Sequence, residues 1–204
     1  MIVSAAVEGV VDDAVVRRLL RTTGHEVGPI HVKHGKSALL QRLPGYNAAA
    51  QRGPWLVLVD LNGDAPCAPP FVARHLGDPA RHMLFRVAVH QVEAWLLADR
   101  ARFARFLRVS PTRLPADPDA LPDAKQTVVD VAAYSEDREI RQEIPPQRGS
   151  GRQVGPAYTA RMIEFAEQRW RPDEAGARSE SLRRCLARLG GLHAVGGSAS
   201  RRPG

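Results

Sequence analysis

The sequence predicts an α/β protein: a mainly parallel sheet flanked by helices, with a helical extension on its C-terminal side. Two observations support this fold class. Short apolar runs alternate with stretches of helical periodicity in the first half of the chain, which is the pattern of β-α-β units. The apolar run 55–59 leads directly into Asp60, and a short run of this kind is typical of a central strand buried on both faces.

The elements of this core follow one another in a regular order. The first predicted strand covers residues 2–7. A helix follows over 12–23, with Asp12 as its N-cap and Gly24 as its stop. Further strands are predicted at 26–32, 55–60 and 83–89, and further helices at 37–51, at about 70–76 and at 91–107.

The second half of the chain has a different character. A proline-rich connection at 111–122 precedes a helix at 123–134, a polar and basic loop at 136–156, and helices at 157–170 and 179–189. We therefore predict a core at 1–110, a helical extension packed on it at 111–189, and a tail at 190–204. The tail is rich in glycine and serine and has no apolar periodicity, so we expect it to be disordered.

Composition bounds the partners and the cellular setting. The 204 residues carry 29 Lys and Arg against 22 Asp and Glu, a net charge of +7. This excess would suit a polyanion such as nucleic acid, although its bias to arginine could equally reflect genomic base composition. No apolar run reaches the ~20 residues of a membrane helix, and the first residues lack the basic region of a signal peptide. We expect a cytoplasmic protein with no membrane partner and with Cys67 and Cys185 reduced.

Acidic residues follow three of the predicted strands. Glu8 ends the first strand, Asp60 ends the third, and Glu93 lies in the first turn after the fourth. Parallel strands bring their carboxyl ends to one edge of the sheet, where α/β proteins bind ligands. We therefore expect these three side chains to approach one another.

Clustered carboxylates repel one another unless a cation or protons neutralise them. Hard oxygen ligands favour Mg²⁺ or Mn²⁺, with water and substrate phosphate completing the coordination. Asn62 and Asp64 follow Asp60 and are candidate additional ligands. The alternative is that strand-end acids cap the following helices, and for Asp12 and Asp64 this reading is as good as a metal role.

The order of these residues resembles the TOPRIM domain. The segment from Glu8 to Asp12 reads Glu-Gly-Val-Val-Asp, and a later apolar strand ends in Asp60-Leu61-Asn62. TOPRIM domains occur in topoisomerases, primases, recombination proteins and OLD-family nucleases. The resemblance implies a Rossmann-like fold that binds Mg²⁺ for phosphodiester cleavage or transfer, with Glu8 as general base or ligand and Asp60 as ligand. Asn62 departs from the usual second aspartate and adds no negative charge.

A closer resemblance is to an uncharacterised bacterial, TOPRIM-related family. It rests on Glu-Ala-Trp-Leu-Leu-Ala-Asp at 93–99, on segment 122–125, on Gly155-Pro156-x-Tyr158 and on Ser-x-Ser-Leu at 179–182. That family is associated with mobile-element and defence contexts, and the similarity spans most of residues 1–189.

Three basic residues are candidate phosphate or nucleic-acid contacts. Lys36 follows Gly35 at a helix start, where free backbone N–H groups favour an anion. The complete phosphate-loop motif is absent, because Ile30 stands where glycine is required. Arg148 and Arg152 flank glycines in the long loop, a composition able to follow a phosphate backbone.

Together these features predict a Mg²⁺- or Mn²⁺-dependent phosphodiester hydrolase, a nuclease, with Glu8, Asp60 and Glu93 as catalytic residues. One alternative is a non-catalytic or toxin subunit that binds metal or nucleic acid and acts with a partner ATPase, which the Asn62 departure favours. Another is a protein-interaction module that uses the C-terminal helices. The oligomeric state stays open, a homodimer included.

Overall fold

The computed structural model describes residues 1–192 and confirms the predicted fold class. Its four strands are β1 (Ile2–Val7), β2 (Glu26–Val32), β3 (Trp55–Asp60) and β4 (Met83–Ala88). They form one parallel sheet in the order β2-β1-β3-β4, so β2 and β4 are its edges. Because the strands run in the same direction, the residues that follow them lie along one rim of the sheet.

Helices cover both faces of this sheet. They are α1 (Val10–Thr22), α2 (Lys36–Gln41), α3 (Leu43–Ala49), α4 (Ala68–His75), α5 (Val92–Ala98), α6 (Arg100–Leu107), α7 (Ala124–Ala132), α8 (Arg138–Glu143), α9 (Tyr158–Gln168), α10 (Pro172–Gly176) and α11 (Glu180–Gly190). Short 3-10 turns occupy Pro111–Arg113 and Pro118–Ala120. None of the helices in residues 1–192 combines the length and the apolar character required to cross a bilayer.

The sheet lies between two apolar layers. One contains side chains of α3 and α4. The other joins α1, α5 and α6 to residues of α7, α9 and α11, so the first 110 residues and the helical extension share it. Trp95 is fully buried there, as a core residue should be, and its indole N–H donates to Ser181 Oγ at 2.7 Å.

Two predicted helices were too long. The stretch 37–51 divides into α2 and α3 around Arg42, because Pro44 has no N–H to donate and is tolerated only in the first turn of a new helix. The stretch 91–107 divides into α5 and α6 at Asp99, whose ψ of 61° is not helical. Asp99 makes no cap hydrogen bond; its carboxylate instead accepts from the backbone N–H and guanidinium of Arg171.

The predicted N-cap of the first helix was wrong by three positions. Helix α1 begins at Val10, with Gly9 as its N-cap in an extended conformation. The Asp12 carboxylate accepts from the Gly9 N–H at 2.6 Å. Asp12 therefore lies in the first turn of α1 and caps the helix by accepting from the N-cap residue, instead of being the N-cap itself.

The predicted loop at 136–156 contains a helix, α8, which Asp137 caps by accepting from the Glu139 N–H at 2.9 Å. Helix α10 was not predicted, because its five residues are too few to show helical periodicity. Ser179, the first residue of the predicted helix 179–189, is the N-cap of α11. The expected disorder of the tail falls, from residue 193 onward, outside the described residues.

Candidate active site

A pocket of about 340 Å³ lies at the rim where β1 and β3 end. Four carboxylates from separate elements line it: Glu8, Asp12, Asp60 and Glu93. The structure thus brings together the three acids that the strand pattern singled out and adds Asp12 from α1. Their functional roles stay predictions.

Glu8 and Asp60 connect the elements that form the pocket. Glu8 follows β1, and its Oε1 accepts from the backbone N–H of Asp60 at 2.9 Å. Asp60 ends β3, and its Oδ1 accepts from the backbone N–H of Val92, the first residue of α5, at 2.9 Å. These two bonds fix the end of β1 to β3 and the end of β3 to the start of α5.

Glu93 is held from the helical extension. It is 3% exposed, and its Oε1 accepts from the hydroxyl of Tyr158 at 3.0 Å. The ammonium of Lys125 lies 3.7 Å from the same oxygen, with 45% of the lysine side chain exposed. Lys125 is itself positioned by Gln91, whose side-chain oxygen accepts from the Lys125 backbone N–H at 2.9 Å.

Each of the four carboxylates uses one oxygen for these bonds. Within residues 1–192, the second oxygen of Glu8, Asp12, Asp60 and Glu93 has no hydrogen-bond or ion-pair partner. A carboxylate has about four acceptor sites. The acids therefore hold the pocket in shape and still have acceptor capacity for a cation or a substrate.

Burial and mutual repulsion alter the protonation of these acids. The pKa of Asp60 is raised well above its ordinary value, first by burial and then by the charges of Asp12, Glu93 and Glu8. Burial, with the charges of Glu93 and Glu8, raises the pKa of Asp12 to about 7. Burial also raises the pKa of Glu8. A cation in the pocket would relieve both penalties, and without one the cluster holds protons near neutral pH.

Tyr158 stays a proton donor in this setting. Its burial, and next the charge of Glu93, raise the pKa of the phenol above its ordinary value. The neutral hydroxyl therefore donates to Glu93 throughout the physiological range.

The donor set agrees with a hard divalent ion. In residues 1–192, no group of three or more His, Cys, Asp or Glu side chains is placed so that it could hold a metal ion. Mg²⁺, however, commonly takes only one or two protein carboxylates and fills its octahedron with water and substrate phosphate. The second oxygens of Glu8 and Asp60 can meet that requirement. The raised pKa values of these two residues show that burial penalises their charged forms, and a bound cation would relieve this penalty.

Asn62 and Asp64 occupy different positions after β3. Asn62 lines the pocket and has a left-handed backbone, with φ of 49°. The chain then turns at Gly63, and the Asp64 N–H donates to the Leu61 carbonyl at 3.0 Å. This turn takes Asp64 outside the lining of the pocket, so its proposed role as a ligand has no support from its position.

Lys36 is occupied by contacts of its own. Its ammonium lies 2.6 Å from the Asp64 carboxylate and donates to the Leu61 carbonyl at 3.3 Å. Gly35, and not Lys36, lines the acidic pocket. Lys36 would need to leave Asp64 to contact a phosphate there.

The two loop arginines lie beside different cavities. Arg152 lines a cavity of about 330 Å³ that adjoins the acidic pocket, since Val154 lines both. Arg148 lines another cavity between α8 and the loop. Of the two predicted contacts, only Arg152 is next to the acidic cluster.

Sequence reasoning missed Lys125, Tyr158 and Gln91 as pocket residues. A weak signal existed, because Lys125 and Tyr158 lie in two segments that carried the family resemblance. Comparisons with protein-family models, curated proteins and solved structures found no match to this chain. The pocket of this chain combines hard anionic oxygens, one partly exposed ammonium and a neutral phenol.

Proposed function

We propose that this protein is a Mg²⁺- or Mn²⁺-dependent phosphodiester hydrolase, a nuclease of the TOPRIM type. The observation that carries the proposal is the convergence of Glu8, Asp12, Asp60 and Glu93 on one pocket that also contains the Lys125 ammonium. The positive charge in the pocket is not sufficient to neutralise these acids, so they are suited to binding a metal ion. The Lys125 ammonium, which solvent can reach, is suited to binding a phosphate beside that ion.

Glu8 and Asp60 would hold the ion, with the Asn62 carbonyl as a neutral addition. When bound, the ion would supply Lewis-acid polarisation of a phosphoryl oxygen. The Asn62 amide contributes no charge, so the negative charge required for binding the ion must come from Glu8, Asp60 and the nearby Asp12. The raised pKa of Asp60 fits that assignment, because an ion would replace the proton that burial favours.

The other residues would act on water and substrate. Glu8 is alternatively a general base: if Asp60 holds the ion without it, its raised pKa makes it a better proton acceptor than an exposed glutamate. Lys125 is suited to binding a non-bridging phosphate oxygen, with its ammonium oriented by Glu93. Tyr158 positions Glu93 and would not contact the phosphate directly.

Nucleic acid is the substrate class that the charges favour. The net charge of +7 and the position of Arg152 in the adjoining cavity offer contacts to phosphates on one side of the scissile bond. The resemblance to a family from mobile-element and defence contexts supports a role in such a system.

The first test is cleavage of single-stranded, duplex and supercoiled nucleic acid with Mg²⁺ or Mn²⁺. Glu8→Gln and Asp60→Asn should each lower the rate by about 10²–10⁴-fold, the contribution of a positioned acid or base. Glu26→Gln, at an exposed position on β2, is the matched control and should retain full activity. Cleavage that survives both site substitutions would rule out this mechanism.

A second candidate function is binding without cleavage, as a subunit that acts with a partner ATPase. The observation that favours it is Asn62, which puts a neutral amide in the pocket where a TOPRIM enzyme is expected to have a second aspartate. Calorimetric titration with Mg²⁺ separates the two functions. Heat of binding that Asp60→Asn abolishes, without cleavage even with an ATPase partner present, would favour the binding subunit.

A further inference from the structure

A groove of about 700 Å³ lies on the opposite side of β4 from β3. Helix α4 forms one wall through Val72, Ala73 and Leu76, and the start of α11 forms the other. Residues of β4 and Val89 form its floor. Since β4 is an edge of the sheet, the floor of this groove is the unpaired side of a strand.

The hydrogen-bond register shows which backbone groups face the groove. The carbonyls of His82 and Ala88 accept from residues of the β3 segment, at 3.0 and 2.9 Å. In a parallel strand alternate residues bond to the same neighbour, so Phe85 and Val87 direct their N–H and C=O groups away from β3. Within residues 1–192, no partner is found for these four groups.

Both ends of this unpaired stretch are closed. The Met83 N–H donates to the Ala80 carbonyl at 2.9 Å, and the Val89 N–H donates to Ser181 Oγ at 3.3 Å. Phe85 and Val87 are 6% and 5% exposed as whole residues, and their side chains are buried in the layer beneath α4. The groove therefore offers main-chain donors and acceptors over a short, defined length.

The two walls differ in charge. Val72 and Leu76 give the α4 side an apolar surface, whereas Arg86 projects towards α11. Arg86 has no carboxylate partner within residues 1–192, and its Nε is buried without a hydrogen bond. The adjacent Cys185 thiol cannot neutralise it, because burial raises the pKa of that thiol to about 11. Asp119 and Glu180 also line the groove, but Asp119 accepts from the Ser179 hydroxyl and the Ser181 N–H, and Glu180 accepts from Arg183 and Arg184. Arg86 is therefore the guanidinium on this side with which an added anion could pair.

We propose that the groove binds an extended peptide segment of a partner protein, which adds to β4 as a fifth strand. Successive side chains of a strand point to opposite faces, so the segment would present apolar residues to α4 and an acidic residue to Arg86. Main-chain pairing to Phe85 and Val87 supplies affinity, and the alternation supplies specificity.

A second copy of this chain fits the groove less well. An edge strand can pair with its own copy only if both edges are accessible to each other. Here α4 and α11 flank β4, so each copy would present walls to the other before the two strands could meet. A single extended segment is narrow enough to enter between them.

The test uses an acetylated and amidated heptapeptide, Thr-Val-Glu-Val-Glu-Val-Thr, whose binding to the full chain is measured by isothermal titration calorimetry. N-methylation of alternate residues gives two variants, and only one should lose binding, because only one set of N–H groups faces β4. Replacement of both glutamates by glutamine should weaken binding by about tenfold or more. On binding, hydrogen exchange of the Phe85 and Val87 amides should slow.

Two protein variants locate the site. Ala73→Arg places a large side chain in the groove from an exposed position on α4 and should abolish binding. Ala101→Arg makes the same substitution at an exposed position of α6 outside the groove and should leave binding unchanged. Arg86→Met should bind the acidic peptide about tenfold more weakly and the glutamine peptide equally well.

Several outcomes would overturn the proposal. These are no binding at about 1 mM peptide, equal binding by both N-methylated peptides, or full binding by Ala73→Arg. Protection of the Phe85 and Val87 amides that appears without peptide and rises with protein concentration would instead identify a homodimer edge. Because nuclease activity is not a readout, failure here does not bear on the proposed hydrolase.

Discussion

The charge of Lys125 only partly offsets the burial of Asp12 and its repulsion by Glu93 and Glu8, and the protonation of Asp12 should therefore be linked to folding. Its pKa rises from an ordinary 3.8 to about 7 in the folded state, mainly through burial. The folded protein binds this proton more tightly than the unfolded chain does. The stabilisation is complete below about pH 3.8 and is lost as the pH rises towards 7.

Asp12→Asn should therefore stabilise the metal-free protein at pH 8. The amide oxygen can still accept from the Gly9 N–H, and the penalty of a buried charge disappears. We expect the free energy of unfolding to rise by about 2 kcal/mol at pH 8, with no gain at pH 4. Denaturant unfolding at both pH values measures this, with Asp78→Asn at an exposed position as the control. An equal effect at both pH values would contradict it.

Tyr158 is one of the residues that the helical extension contributes to the acidic pocket. Tyr158→Phe removes the hydroxyl that donates to Glu93 and leaves the packing of the ring. If the protein is a hydrolase, kcat should fall by about tenfold, because Glu93 and Lys125 lose their orientation, and stability should fall by about 1 kcal/mol. Tyr134→Phe is the control, since that tyrosine is 62% exposed. Unchanged kcat in Tyr158→Phe would remove Tyr158 from the site.

The interruption between α5 and α6 illustrates how one ion pair sets the path of an element. Asp99 is 1% exposed at this junction and forms an ion pair of 2.6 Å with Arg171. It also accepts from the Arg171 backbone N–H at 3.0 Å. The pair joins the junction to the start of α10 and so holds α5, which carries Glu93.

Asp99→Ala should destabilise the protein by about 1–3 kcal/mol, because it leaves the Arg171 backbone N–H without its acceptor, whereas the partly exposed guanidinium can be hydrated. Chemical denaturation measures the change. Asp130→Ala is a suitable control, since that carboxylate is exposed and, among the described residues 1–192, accepts only from Gln126 on its own helix. A loss below about 0.5 kcal/mol for Asp99→Ala would mean that the junction has another source of rigidity.

At the scale of the whole molecule, the helical extension completes the main core. Helix α9 packs on α1, and its Phe165 contacts Phe103 edge to face with ring centroids 4.8 Å apart. The extension also supplies Lys125 and Tyr158 to the pocket. Its burial and the assembly of the site are therefore a single event.

A fragment of residues 1–110 should consequently fail to fold as a compact unit. Without the helical extension, the faces of α1 and α5 that α7, α9 and α10 cover would expose an extensive apolar layer. We expect the fragment to lack a near-ultraviolet circular dichroism signal, to bind a hydrophobic dye and to show no cooperative unfolding transition. The full chain should unfold cooperatively. A fragment with sharp, cooperative unfolding would show that the two predicted regions are independent.

The sequence by itself determined the strands and the acids that follow them. Glu8 and Asp60 could be found because a buried strand has a strong local signature: a short apolar run that stops where the chain returns to solvent. The direction of parallel strands then brought these two residues to one rim. The fold class and the approach of the three acids depend only on such short-range patterns.

Only the tertiary structure decided which other side chains complete the pocket. Lys125 and Tyr158 join it because a distant helical segment packs against α5, and Asp64 leaves it because a tight turn follows Asn62. The predicted helices likewise ran through the breaks at Arg42 and Asp99. The break at Asp99 is stabilised by a contact with Arg171, which lies far along the chain. Local patterns specify the period and the ends of an element. The partner of a polar side chain is set by packing between segments that are remote in sequence, and this packing leaves little local trace.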